Sequence, residues 1–188
     1  FMLLPWQSAQ CLQSGTSKGL QWGVFSHAAY EDLDDPVSHR RLVVVGETFV
    51  MIMDRIESKT EHASQLHWLL EDHPLTIDRS PDANRMTGKL AVADGEIYLT
   101  VASLHEANTR VERAGADNAH GWQSRCYGEL MPAHAIFSEV IAPRNCWVTV
   151  FSRSPARVSI NDDTTIVELQ DGAEKLEVET ATLKVSQS

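Results

Sequence analysis

HRRLVVVGETFVMIMDRIESKTEHASQLHWLL, residues His39 to Leu70, is the stretch whose reading decides the fold. After the basic pair Arg40 and Arg41, Leu42 to Val45 is a β-branched run too short for a helix and suited to a pleated, half-buried surface. Gly46 and Glu47 break it, and a second apolar run from Thr48 to Met53 ends on Asp54 and Arg55. Two such runs around a short turn predict a hairpin. A polar bend over Glu57 to Glu61 then leads into a third strand, His62 to Leu70, expected to carry the chain back. Three strands of this kind form an antiparallel meander, the smallest sheet unit able to stand alone.

The pattern continues on both sides. The first part, Phe1 to Lys18, reads as a leading strand plus loop, and Leu20 to Phe25 and His27 to Tyr30 as strand. Glu31 to Pro36, EDLDDP, is an acidic loop stopped by proline and is expected to be solvated surface. Leu90 to Ala93 and Glu96 to Ala102 flank Asp94-Gly95, a pairing that predicts a tight type I′ hairpin. Thr109 to Arg113, Ala135 to Ile141 and Cys146 to Phe151 read as further strands, the last two separated by Pro143. The tail predicts Ala156 to Ile160, Thr164 to Leu169, Lys175 to Glu179 after an Asp171-Gly172 turn, and an edge at Leu183 to Val185. No window carries a sustained 3.6-residue period, so the fold class is all-β. The expectation is a large antiparallel β-sandwich of two packed multi-stranded sheets, with a closed barrel as the competitor. Residues 1–188 are taken as a single domain, expected to be the C-terminal piece of a larger protein.

Composition bounds the partners. A formal net charge of -10 excludes a globally basic nucleic-acid binder. No stretch approaches the roughly 18 apolar residues that cross a bilayer, so neither nucleic acid nor membrane is an expected partner. Cys11, Cys126 and Cys146 are odd in number and lack metal-like spacing.

Candidate chemistry is sparse. His27, His39, His62, His67, His73, His105, His120 and His134 include no His-x-His pair that would set two imidazoles on one strand face, so no metal site is expected. There is no nucleophile elbow and no phosphate loop, and the paired carboxylates Asp34-Asp35 and Asp162-Asp163 sit in turns. What remains is a polar and aromatic set suited to a sugar groove: Trp22, Tyr30, His39, Arg41, Trp68, Trp122, Arg125 and Tyr127. Aromatic rings offer flat apolar faces, and arginine holds a carboxylate or sulfate with two parallel hydrogen bonds. Trp22, Trp68 and Trp147 read more readily as core, because they lie inside apolar strands.

Tyr30, Pro36-Val37, His39-Arg40-Arg41, the apolar strand ending in Asp54-Arg55, His62 and the strand closing on Leu70 together resemble the C-terminal β-sheet domain of the heparinase II/III-like polysaccharide lyases. Trp122 to Pro132, WQSRCYGELMP, is similar to a later segment of that domain. The resemblance implies an N-terminal helical toroid joined to a β-sandwich, and β-elimination on an acidic, uronate-containing polysaccharide. It implies a periplasmic or secreted location. It also implies that the catalytic tyrosine and histidines, and any zinc with its ligands, lie upstream. No catalytic residue, metal ligand or cofactor is therefore assigned in this chain. Tyr30, His39, Arg41, Trp122 and Arg125 are carried as substrate-facing candidates. Arg40, Asp54 and Arg55 are structural, with Asp54 expected to pair with an arginine such as Arg40. A non-catalytic carbohydrate-binding or structural sandwich is the alternative.

Overall fold

Two strands far longer than the sequence suggests organise the molecule. The computed structural model describes residues 8–79, 83–170 and 175–187. Its strands are β1 (Ala9–Ser17), β2 (Leu20–His27), β3 (Ser38–Val45), β4 (Phe49–Glu71), β5 (Leu75–Arg79), β6 (Arg85–Val92), β7 (Gly95–Ser103), β8 (Asn108–Arg113), β9 (Trp122–Gln123), β10 (Met131–Ser152), β11 (Ala156–Ile160), β12 (Thr164–Leu169), β13 (Lys175–Glu179) and β14 (Lys184–Gln187). The first ten form an antiparallel sheet in the order β1-β2-β3-β4-β10-β7-β6-β5, with β8 and β9 also on β10; the last four form a second antiparallel sheet. The chain is an all-β sandwich, and the larger sheet is open between its β1 and β5 edges rather than closed into a barrel.

Alternation decides which side chains meet. Leu42 and Val44 of β3 and Met51 and Met53 of β4 point to one face and are fully buried. There they join Val158, Val167, Leu176 and Val178 of the second sheet in the inter-sheet core. The opposite face holds a second core, with Leu66, Leu99, Val101, Ile136, Val140 and Trp147. Arg55 ties the two sheets together, donating from one terminal nitrogen to the Thr180 carbonyl (2.8 Å) and from the other to Glu57 (2.5 Å).

The expected meander is corrected at its third strand. The bend at Glu57 to Glu61 does not reverse the chain; it is a bulge inside β4. Ala142 pairs with His62 and Arg144 with Glu57, so Ser58 to Glu61 stand opposite Pro143 alone. Proline has no N–H for a ladder, and a bulge at such a point kinks a ribbon. The acidic loop supplies what the ladder loses. Asp35 accepts the backbone N–H of Lys59 (3.3 Å) and Thr60 (2.8 Å), the Thr60 hydroxyl (2.5 Å) and His62 Nε2 (3.0 Å). Those hydrogen bonds, from Thr60 above all, hold the Asp35 carboxyl well below the usual range. The β4/β10 ribbon then folds back over the sheet. The Trp147 indole donates to Ser138 of its own strand (3.2 Å), and the Trp68 indole donates to Thr149 (3.0 Å).

Turn chemistry differs in detail. The Asp94-Gly95 hairpin forms, but Val92 pairs with Gly95, and Gly95 (φ 123°) is the residue of that turn with positive φ. A type I′ turn, with positive φ at both central residues, closes β1 to β2 instead, at Lys18 (φ 46°) and Gly19 (φ 83°). The strands expected over Ala156 to Glu179 are β11, β12 and β13. The Asp171-Gly172 turn lies outside the described residues. His27 to Tyr30 is not strand beyond His27.

Arg55→Met is expected to lower stability by about 2 kcal/mol, the cost of stranding charge-assisted hydrogen-bond partners, and thermal melting measures it. A melting temperature equal to that of the unsubstituted chain would show that Arg55 does not clamp the sheets.

Candidate functional site

On the face of the large sheet turned away from the second sheet, register assembles a polar cluster. Val45 opposite Val50 puts Arg41 opposite Asp54 and His39 opposite Ile56, while the β2–β3 pairing puts His27 opposite His39 and Phe25 opposite Arg41. Asp54 is 3% exposed. Its carboxylate is gripped from two sides. Arg41 donates Nε to Oδ1 (2.7 Å) and a terminal nitrogen to Oδ2 (3.0 Å), and His39 Nε2 bonds Oδ1 (2.7 Å).

The chain of hydrogen bonds has a fixed direction. The Ala29 N–H donates to His27 Nδ1 (3.2 Å), so that nitrogen carries no proton and Nε2 does. His27 Nε2–H then donates to His39 Nδ1 (2.6 Å), which leaves His39 Nε2–H to donate to Asp54. Both imidazoles are neutral Nε2–H tautomers, and all four ring nitrogens are used within the protein. Burial, followed by the neighbouring His39 and Arg41, pushes the His27 pKa down, against a smaller upward pull from Asp54. For Asp54, burial pushes the carboxyl up, and the hydrogen bonds from His39 and Arg41 outweigh it and hold it below the usual range.

The surround is aromatic. The Arg41 guanidinium lies 5.8 Å from the Trp68 ring, which the folded-back ribbon brings overhead. Tyr30 meets His27 edge to face at 5.3 Å. The acidic loop and the β4 bulge flank a cavity of about 520 Å³ lined by His27, His39, Arg40, Glu57 and Lys59 among others.

The substrate-facing candidates divide into two groups. Tyr30, His39 and Arg41 stand together in this cluster. Trp122 and Arg125 lie elsewhere, on the segment after β8: the Trp122 indole donates to the Asn118 carbonyl (3.0 Å), and Arg125 pairs with Glu71. Tyr127 is fully exposed beside them. The expected partner of Asp54 is corrected. Arg40 points to the opposite face, where it approaches Glu57 (3.6 Å), and Arg41 takes the aspartate, because adjacent residues of a strand alternate. Sequence reasoning set His27 aside as one of eight histidines and left Phe25 out. The usable signal was register, which places 25, 27, 39, 41 and 54 on one face once the hairpin turns are fixed.

Several of the other histidines have partners of their own. His67 stacks on Phe137 at 4.6 Å, Arg110 lies 4.3 Å from the same ring, and His120 bonds Glu112 (2.9 Å). His134 bonds the His73 carbonyl (3.0 Å). Among the described residues no three His, Cys, Asp or Glu side chains converge to hold a metal. The three cysteines are free thiols, and burial pushes Cys146 up to about 12.

The sequence matches the family described as heparinase II/III-like, C-terminal, over residues 5–180. Solved structures share the fold. A heparinase III with methylated lysines superposes with a TM-score of 0.68 at 15% identity, covering 91% of this chain and 27% of that one. The heparan sulfate lyase HepC from Pedobacter heparinus gives 0.64 at 16%, covering 92% and 28%. A crystal structure of heparinase III gives 0.68 at 14%, covering 92% and 27%. The chain thus spans little more than a quarter of the length of these structures. No curated protein matches it.

Two substitutions test the network. Asp54→Ala is expected to cost about 2 kcal/mol through lost charge-assisted hydrogen bonds; an unchanged melting temperature would remove that role. The pH dependence follows from the depressed His27 pKa. Folding favours the neutral ring, so this contribution is complete above the unfolded pKa, about 6.5, and is lost as pH falls below it. His27→Asn should therefore show a shallower fall in melting temperature from about pH 7 to about pH 5 than the unsubstituted chain, and an identical slope would contradict the assignment.

Proposed function

The chain belongs to the heparinase II/III-like family through its C-terminal domain, and on that basis we propose that it is the β-sandwich module of a polysaccharide lyase. The parent enzyme cleaves uronate-containing polysaccharide by β-elimination, and this module supplies a wall of the substrate cleft and a packing surface. In that reaction a base takes the proton at C5, the uronate carboxylate is neutralised, and the oxygen at C4 leaves. Neutralisation matters because C5 becomes acidic only as charge develops on the carboxylate, and the base must stand within hydrogen-bond reach.

The observation that carries the division of labour is the closed imidazole chain. His27 and His39 are the ring bases of the cluster, and every one of their nitrogens is committed internally. A group so occupied is poorly placed to abstract a substrate proton, which supports a base supplied by other parts of the parent protein. Arg41 is suited to a different task. Its side chain is 41% exposed, and its Nη1 makes no hydrogen bond among the described residues, so it can meet a sugar carboxylate end-on. Tyr30, itself exposed, packs edge to face on His27 of the same cluster. We place the parent protein in the periplasm or outside the cell, where such polymers are met.

The ultraviolet absorbance of unsaturated uronate product tests this reading. The full product of the gene is expected to generate it from an acidic polysaccharide, and the 188-residue chain alone is not. Product formed by the isolated chain would overturn the division of labour. Absence of product from both, across uronate polymers, would overturn the lyase assignment.

A further inference from the structure

Phe25 is an anomaly of the cluster. It sits in the middle of β2, directly opposite Arg41, yet 41% of it is open to solvent. The sequence secures its posture. Gly23, two residues earlier on the same face, leaves the space into which the ring leans: a methyl group there would fall 2.7 Å from the ring tip. The phenyl group is thereby laid toward the sheet instead of standing away from it. Gly23 itself is buried beneath it and has no positive φ, so the glycine answers to the ring and not to backbone conformation.

Beside this ring stands a cation of limited reach. Asp54 takes two nitrogens of the Arg41 guanidinium and Trp68 lies near one side of it, leaving Nη1 to approach a ligand. The charges of Arg41 and Asp54 cancel, and the two histidines that reach Asp54 from its other side are neutral, so the cluster has no surplus of positive charge. It offers one uncommitted donor nitrogen, Nη1, next to one flat apolar surface. A hexuronate ring has matching parts: an apolar face of axial C–H groups and a single carboxylate at its rim.

We propose that Phe25 and Arg41 form a subsite for one uronate residue, Phe25 stacking on the sugar face and Arg41 Nη1 receiving its carboxylate, with Gly23 positioning the ring. This rests on the reading of the domain as part of a polysaccharide-binding enzyme, and it names the residue contacts of that binding. The His27–His39–Asp54 chain acts behind it by fixing the orientation of Arg41.

Isothermal titration of the chain with a hexamer of mannuronate, and with a neutral glucan hexamer, tests it. The uronate hexamer should bind more tightly than the neutral one. Phe25→Ala and Gly23→Ala should each weaken uronate binding about 5- to 10-fold, the range expected for loss of one aromatic contact. Gly23→Ala keeps every ligand-facing side chain and only lifts the ring, so it carries the test if Phe25→Ala does not fold. Arg41→Met should abolish the preference for uronate over the neutral glucan. Variants that bind as tightly as the unsubstituted chain would overturn the subsite while leaving the module reading intact. No binding of any acidic oligosaccharide by the unsubstituted chain would overturn both.

Discussion

A carboxylate buried on a sheet face must be paid for by its neighbours, and Asp54 sets that demand here. Isolated in an apolar setting, its charge would cost far more than a domain of this size can spare. The structure answers with a two-pronged arginine and an imidazole whose own far nitrogen is satisfied by a second imidazole. The register of three strands exists in a form that delivers those groups. A slip of one residue would flip every side chain of β3, sending Arg41 into the inter-sheet core and turning Leu42 and Val44 out of it.

The folded-back ribbon completes the arrangement. Where Pro143 cannot donate to the ladder, β4 bulges, and Asp35 takes over the unpaired N–H groups. Beyond that point the two strands turn over the sheet, close the second core on Trp147, and bring Trp68 to Thr149 and Arg41. One irregularity thus creates both a hydrophobic core and the roof of the polar cluster. The acidic loop, which composition marks as solvated, has Asp35 as a structural member, because a carboxylate can accept several N–H and O–H donors at once.

Much of this was legible from the residues. The strand-rich tail, the hairpins and the all-β class follow from alternation and turn chemistry, and the family resemblance carried by Tyr30, Pro36-Val37, His39-Arg40-Arg41, Asp54-Arg55, His62 and Trp122 to Pro132 agrees with the match over residues 5–180. The long strands were not. Pro143 and the polar run Glu57 to Glu61 have the local chemistry of turns, and only the pairing of distant segments makes them a bulge within continuous strands. The partner of Asp54 was misassigned for a related reason: Arg40 and Arg41 are equivalent in composition, and pleating separates them. Phe25 went unnoticed because its posture depends on Gly23, a relation visible only when the ring is seen leaning over the glycine.

The central claim is that the cluster is a closed, directional network running from Ala29 to Asp54, which holds Arg41 in place and leaves no imidazole nitrogen for chemistry. Long-range proton–nitrogen NMR of the histidine rings, at about pH 7.5, where an ordinary histidine is neutral, tests it most directly. The account predicts that His27 and His39 are both neutral with the proton on Nε2. A proton on Nδ1 of either ring would reverse the chain of hydrogen bonds and contradict it.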